Sequence, residues 1–137
     1  MQPNAQLAHY LHDLQSQSHD CELIDSHALR ITHEGLEFVL VVAEDEPAFF
    51  QLMLPGAWQA GAGSDRTALL EATNDVMNTL KAAKLVIHGE GIHVSVEQFV
   101  EGPEQGVALL PGMLELLRSA VAELHERLGM GEAPRVH

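Results

Sequence analysis

The feature that most constrains this chain is a change of hydrophobic period. Between Asn4 and Ser18, Leu7, Tyr10, Leu11 and Leu14 fall at i, i+3, i+4 and i+7, which is one stripe of a helix. Asn4 stands where a side-chain oxygen can cap the helix start. The period then becomes two. Leu29 and Ile31 alternate with Arg30 and Thr32, and Phe38, Leu40 and Val42 resume the alternation after Glu34-Gly35. A tight turn at those two residues puts Ile31 opposite Phe38 and Leu29 opposite Leu40, with both pairs on one side. Glu44-Asp45-Glu46-Pro47 is a turn by composition, and a third strand runs from Phe49 to Leu54, ending at Pro55-Gly56.

The second half repeats the alternation of types. The stretch AWQAGAGSD reads as a loop, and Ser64 or Asp65 caps a helix that reaches about Ala82. Leu69, Leu70, Thr73, Val76, Met77 and Leu80 mark its expected buried face. Lys84 to His88 and Ile92 to Val100 form a hairpin. Pairing Ile87 with Val94 sets Leu85 opposite Val96 and His88 opposite His93, with an even loop around Gly89-Glu90-Gly91. After the loop EGPEQG, Pro111 suits the first turn of a last helix, with Leu110, Met113, Leu114, Leu117, Val121, Leu124 and Leu128 on one stripe and Gly129 ending it. The expected order is α-β-β-β-α-β-β-α, an α+β domain over 1–129 with helices packed on an antiparallel sheet, followed by a frayed tail at 130–137.

Two of these strands are apolar on both faces. Val39 and Val41 oppose Phe38, Leu40 and Val42, and Phe49 and Met53 oppose Phe50, Leu52 and Leu54. A sheet with one wet face alternates cleanly, so something is expected to cover the second face. The helices number too few for both faces, and a two-fold homodimer is the expected cover.

Charge narrows the partners. The 137 residues carry 20 acidic and 7 basic side chains, a formal net charge of −13. Such a field repels phosphate backbones and anionic lipid, which disfavours nucleic-acid and membrane-surface roles. The apolar runs are too short to span a bilayer, and the N-terminus MQPNAQLAHYLHDL lacks the basic and apolar regions of a signal peptide, so a cytoplasmic location is expected. A single cysteine, Cys21, leaves no internal disulfide and no Cys-rich zinc site.

Chemistry-bearing motifs are sparse. GAWQAGAG lacks the Lys-Ser/Thr of a phosphate-binding loop, and no nucleophile elbow or paired cysteine motif occurs. Nine histidines are many for this length, and they support an alternative reading as a weak metal- or ligand-binding protein or an enzyme. His9, His12 and Asp13 share one side of the first helix, and His88 and His93 are expected cross-strand neighbours with Glu90 in the turn between them. Neither set supplies the three or four ligands of a firm zinc site, so no cofactor is expected. Cys21 has no histidine and orienting group placed beside it by the sequence, and a buried small hydrophobe is its simpler reading.

Three segments together resemble a known family. THEGLEFVLVVAEDEPAFFQLMLPG, then LLEATNDVMNTLKAAKLVI with Asn74 and Asn78, then HGEGIHVSVEQFVEG and a terminal helix resemble the YbjN-like family of small bacterial proteins over roughly Leu7 to Leu128. That family is similar in fold to the type III secretion chaperones, with the same element order. The chain departs from the pattern at His88-Gly89-Glu90-Gly91-Ile92, where relatives more often carry an acidic run ending in glycine. The resemblance carries no catalytic residues. It implies a chaperone-like or regulatory adaptor that binds an unidentified protein, and a dimer interface on the second helix and second hairpin. The apolar surplus around the third strand makes Phe49, Phe50, Leu52 and Trp58 the expected partner contacts.

Overall fold

The computed structural model describes residues 2–59 and 65–129, so the tail at 130–137 and Ser64 lie outside the described residues. The order is α1 (Ala5–Ser16), β1 (Asp20–Asp25), β2 (Ala28–His33), β3 (Leu36–Val41), β4 (Phe49–Gln59), α2 (Arg66–Thr79), β5 (Lys84–His88), β6 (Gly91–Phe99) and α3 (Pro103–Leu128). The strands form one six-stranded sheet in the order β1-β2-β3-β4-β6-β5, antiparallel throughout. The α+β class and the antiparallel sheet with packed helices stand as expected from sequence.

One strand more is present than the sequence reading placed. β1 pairs with β2, setting Cys21 opposite Ile31 and Leu23 opposite Leu29. Its remaining residues, Asp20, Glu22, Ile24 and Asp25, are exposed. It is an edge strand, and charges along an edge oppose pairing with other chains while resembling a loop in sequence. The Asp25 carboxylate accepts the His27 amide at 2.7 Å, which tightens the turn into β2.

Asn4 ties the first helix to this sheet. Its carboxamide oxygen accepts the Leu7 amide at 2.9 Å, and its nitrogen donates to the carbonyls of Ser26 at 3.1 Å and Val42 at 2.8 Å. The hairpin β2–β3 has the expected register, with Ile31 on Phe38 and Leu29 on Leu40. Glu34 and Gly35 both have positive φ, 51° and 76°, as a two-residue type I′ turn demands.

Three expectations need correction. The third strand does not stop at Pro55-Gly56. It continues through a bulge to Gln59, because Gly56 adopts φ +62° and lets the ladder resume at Trp58. The last helix starts at Pro103 rather than near Pro111; the same first-turn preference applies, but to the earlier proline, while Pro111 sits exposed inside the helix. On α2, Leu69, Ala72, Thr73 and Val76 are buried, whereas Leu70 and Met77 are 51% and 41% exposed.

All three helices lie on one face. α1 packs over β1 and β2, α2 beside β5, and α3 over β4 and β6. Between the layers sits one core, in which Leu7, Tyr10, Leu29, Ile31, Phe38, Leu40, Phe50, Leu52, Ile92 and Leu110 are fully enclosed. Each such large side chain contributes about 1.5–3 kcal/mol relative to exposure. The closest approach is at Gly106 of α3, where a Cβ would stand 1.9 Å from the Tyr10 hydroxyl oxygen.

Candidate interaction surface

Among the described residues, no helix lies on the opposite face of the sheet. Val39 and Val41 of β3, and Phe49, Gln51 and Met53 of β4, are half-buried there by their neighbours alone. β5 adds Val86, 45% exposed, and β6 adds Ser95 and Phe99, the latter 74% exposed. Phe99 is paired across the ladder with Phe49, and the two rings stand 5.2 Å apart in a tilted arrangement. Charges on this face are tied up in pairs. The Arg30 guanidinium lies 3.3 Å from Glu22 and 4.0 Å from Glu37, and Lys84 lies 3.0 Å from Glu97. The centre is thus an apolar strip flanked by ion-paired side chains, in which the single Arg30 cation is shared by Asp20, Glu22 and Glu37. Within it is a shallow depression of about 260 Å3. Met53, Pro55 and Val86 line it together with Gln51, Lys84, His93 and Ser95.

Of the four expected contacts, only Phe49 reaches this face. Phe50 and Leu52 are fully buried in the core, and Trp58 is 5% exposed. Strand alternation sends Phe50 and Leu52 to the helix side once Phe49 and Met53 point the other way. Trp58 is a strand residue beyond the bulge, not a loop residue, and its indole N–H donates to the Gly129 carbonyl at 3.1 Å. It joins the end of α3 to the sheet. Phe99 is absent from the contacts expected from sequence; it shares strand parity with His93, Ser95 and Glu97, which the ladder places on the helix-free face.

His88 and His93 do lie on one face, with ring centroids 5.1 Å apart, but they are not direct partners. His88 stands opposite Gly91 and His93 opposite Val86, so the register is two residues tighter than expected. A two-residue turn, Gly89-Glu90, closes the hairpin, with Gly89 at φ +62° as a type II′ turn needs at its first central position. A two-residue slip keeps every side chain on its face, so the apolar pattern could not separate the two registers.

His93 has a defined hydrogen-bond role. Its Nδ1 lies 2.7 Å from the Gly56 amide nitrogen. The amide must donate, so Nδ1 accepts and the neutral ring carries its proton on Nε2. A metal at Nδ1 would displace Gly56. A metal at Nε2 would move the proton to Nδ1, against the amide. The pair is therefore a poor chelate despite its spacing, and no group of three metal-ligating side chains converges among the described residues. His9 is engaged by Asp13 at 3.1 Å on α1. Cys21 is buried in β1, and burial followed by the nearby Asp20 carboxylate raises its thiol pKa, which disfavours the thiolate.

Comparison of the sequence with protein-family models and with curated proteins gives no match. Comparison of the structure does. The crystal structure of YbjN from E. coli, described as a candidate transcription regulator, superposes with a TM-score of 0.62 at 13% identity, covering 88% of this chain and 91% of that one. No helix among the described residues is long and apolar enough to cross a membrane. With its six-stranded antiparallel sheet and three helices on one face, the chain has the YbjN fold.

Proposed function

We propose that this chain is a non-catalytic, cytoplasmic adaptor that holds another polypeptide on the helix-free face of its sheet, in the manner of a chaperone or a regulatory binding module. The observation that carries the reading is the apolar strip of Val39, Val41, Phe49, Met53 and Phe99, left without a helix on a chain with net charge −13. A strong surface charge keeps such a strip from driving aggregation, while its paired ions leave the centre free to accept apolar side chains. The Phe49–Phe99 pair supplies the aromatic anchor typical of energetically dominant contacts. The regulator description of YbjN is compatible with this role.

A homodimer belongs to the same proposal. Leu70 and Met77 lie seven residues apart on one exposed stripe of α2, the helix that packs beside β5. This is the helix-and-hairpin region that the sequence resemblance implies for dimer contact. The test has two arms. Light scattering at micromolar concentration should give twice the chain mass for wild type and the chain mass for Leu70→Glu/Met77→Glu. Affinity capture from the native host should retain a protein on wild type and lose it on folded Phe99→Glu and Val39→Glu. A monomeric wild type refutes the dimer, and equal retention by those variants refutes the binding face.

A further inference from the structure

The bulge of β4 is held by one interaction that depends on a proton. Between Leu54 and Trp58 the β4–β6 ladder is interrupted, and Gly56 in its left-handed conformation turns its amide onto His93 Nδ1 at 2.7 Å. That nitrogen has a single lone pair. The Gly56 N–H and an added proton compete for it, and the imidazolium ring offers two donors and no acceptor. We propose that His93 is a proton-operated latch on the helix-free face, holding the β4 bulge closed when neutral and releasing Gly56 when protonated.

The surroundings favour the neutral, latched ring. Across the hairpin His88 stands with its ring 5.1 Å away, and Lys84 lines the same depression. On β6 itself Glu97 is the acidic group of that face, and it is bonded to Lys84 at 3.0 Å. On β4 the neighbours Met53, Pro55 and Gln59 carry no charge, Glu90 sits in the turn, and the helices pack on the other side of the sheet. The Lys84 and Glu97 charges offset one another, so burial and the neighbouring His88 are what disfavour a charge on the ring. Burial first, and His88 second, lower the His93 pKa below its ordinary 6.5. Acidification adds a charge beside His88 and removes the acceptor at once, so the loss of the hydrogen bond and the repulsion act together.

Release matters because of what adjoins the bulge. Pro55 and His93 line the depression beside Met53, and Trp58, just past the bulge, anchors the end of α3. The latch thus regulates the same face proposed to bind a partner, and its consequence for binding rests on that reading. The latch itself is tested on the partner-free protein, so its failure and the failure of the partner reading are distinguishable.

The experiment is NMR on the full chain across acidic and neutral pH. Imidazole nitrogen shifts report the His93 tautomer and titration, and amide exchange reports the Gly56 protection factor. The expected result is an Nε2–H tautomer at neutral pH, a midpoint below that of ordinary histidine, and a Gly56 protection factor that falls about tenfold per pH unit below that midpoint. His88→Ala should raise the midpoint and carry the loss of protection with it. An Nδ1–H tautomer at neutral pH, a Gly56 protection factor unchanged across the His93 titration, or a loss of protection that does not follow the His93 midpoint in His88→Ala would each overturn the latch.

Discussion

Gly106→Ala tests the packing of α1 against α3. By helix propensity alone the change should stabilise the interior of α3 by about 1 kcal/mol. Space decides otherwise. The new methyl would stand 1.9 Å from the Tyr10 hydroxyl oxygen and 2.6 Å from ring atoms Cε1 and Cζ. Tyr10 is 1% exposed and its ring is backed by Phe50 at 5.7 Å between centroids, so it cannot swing aside. The helices must part, with the overpacking cost of about 1–3 kcal/mol or more that dense cores impose. We expect a net destabilisation of about 2 kcal/mol. Tyr10→Phe separates the contributions. The Tyr10 hydroxyl is buried and has no hydrogen-bond partner among the described residues, so removing it should be neutral or stabilising by about 1 kcal/mol. In the Tyr10→Phe background the nearest approach becomes 2.6 Å, and Gly106→Ala should cost less than it does in wild type. Urea denaturation of the four proteins, followed through the single tryptophan, closes the cycle. Gly106→Ala as stable as wild type, or two costs that simply add, would refute the argument.

Four further outcomes are expected. Tyr10 is the only tyrosine, and burial pushes its pKa up to about 12, so absorbance titration should show an ionisation well above the ordinary 10.0, with folding stability present below pH 10.0 and falling as pH rises through the higher value. His93 runs the other way: its lowered pKa means that its stability contribution is complete above 6.5 and lost as pH falls below it, so His93→Ala should flatten that part of the stability–pH curve measured by denaturant titration. Phe50→Ala should cost about 3–5 kcal/mol while Phe99→Ser, its neighbour in chemistry but 74% exposed, should cost under about 1 kcal/mol, as read by thermal unfolding. Asn4→Ala removes the α1 cap and both bonds to the Ser26 and Val42 carbonyls, and should cost about 1–2 kcal/mol by chemical denaturation.

Periodicity made the helices, the β2–β3 register and the two-sided strands legible, because each follows from one segment or one turn. The Glu34-Gly35 turn admits only a narrow set of backbone shapes, and the register of Ile31 on Phe38 follows from it. β1 was hidden because its partner, not its own composition, makes it a strand; an acidic edge reads as a loop until β2 is beside it. The β5–β6 register was ambiguous because two pairings gave equally apolar faces, and only Gly89 at positive φ selects between them. The site was legible as a surplus of apolar residues but not by address. Composition alone puts Phe50 and Leu52 on a surface that strand alternation denies them, and it reads Trp58 as a loop residue where a glycine bulge lets the strand run on. The role of His93 depends on Gly56, 37 positions away, and no local pattern announces such a pair.

The central claim is that the helix-free face is where this chain meets its partner. Its most direct test places a photoreactive side chain at Phe99, at Met53, and at Ser119 on the exposed side of α3 as a control, and irradiates each protein in its native host. The account predicts a specific crosslinked protein from Phe99 and Met53 that is absent from Ser119. The same species crosslinked from Ser119, with none from Phe99 or Met53, would contradict it.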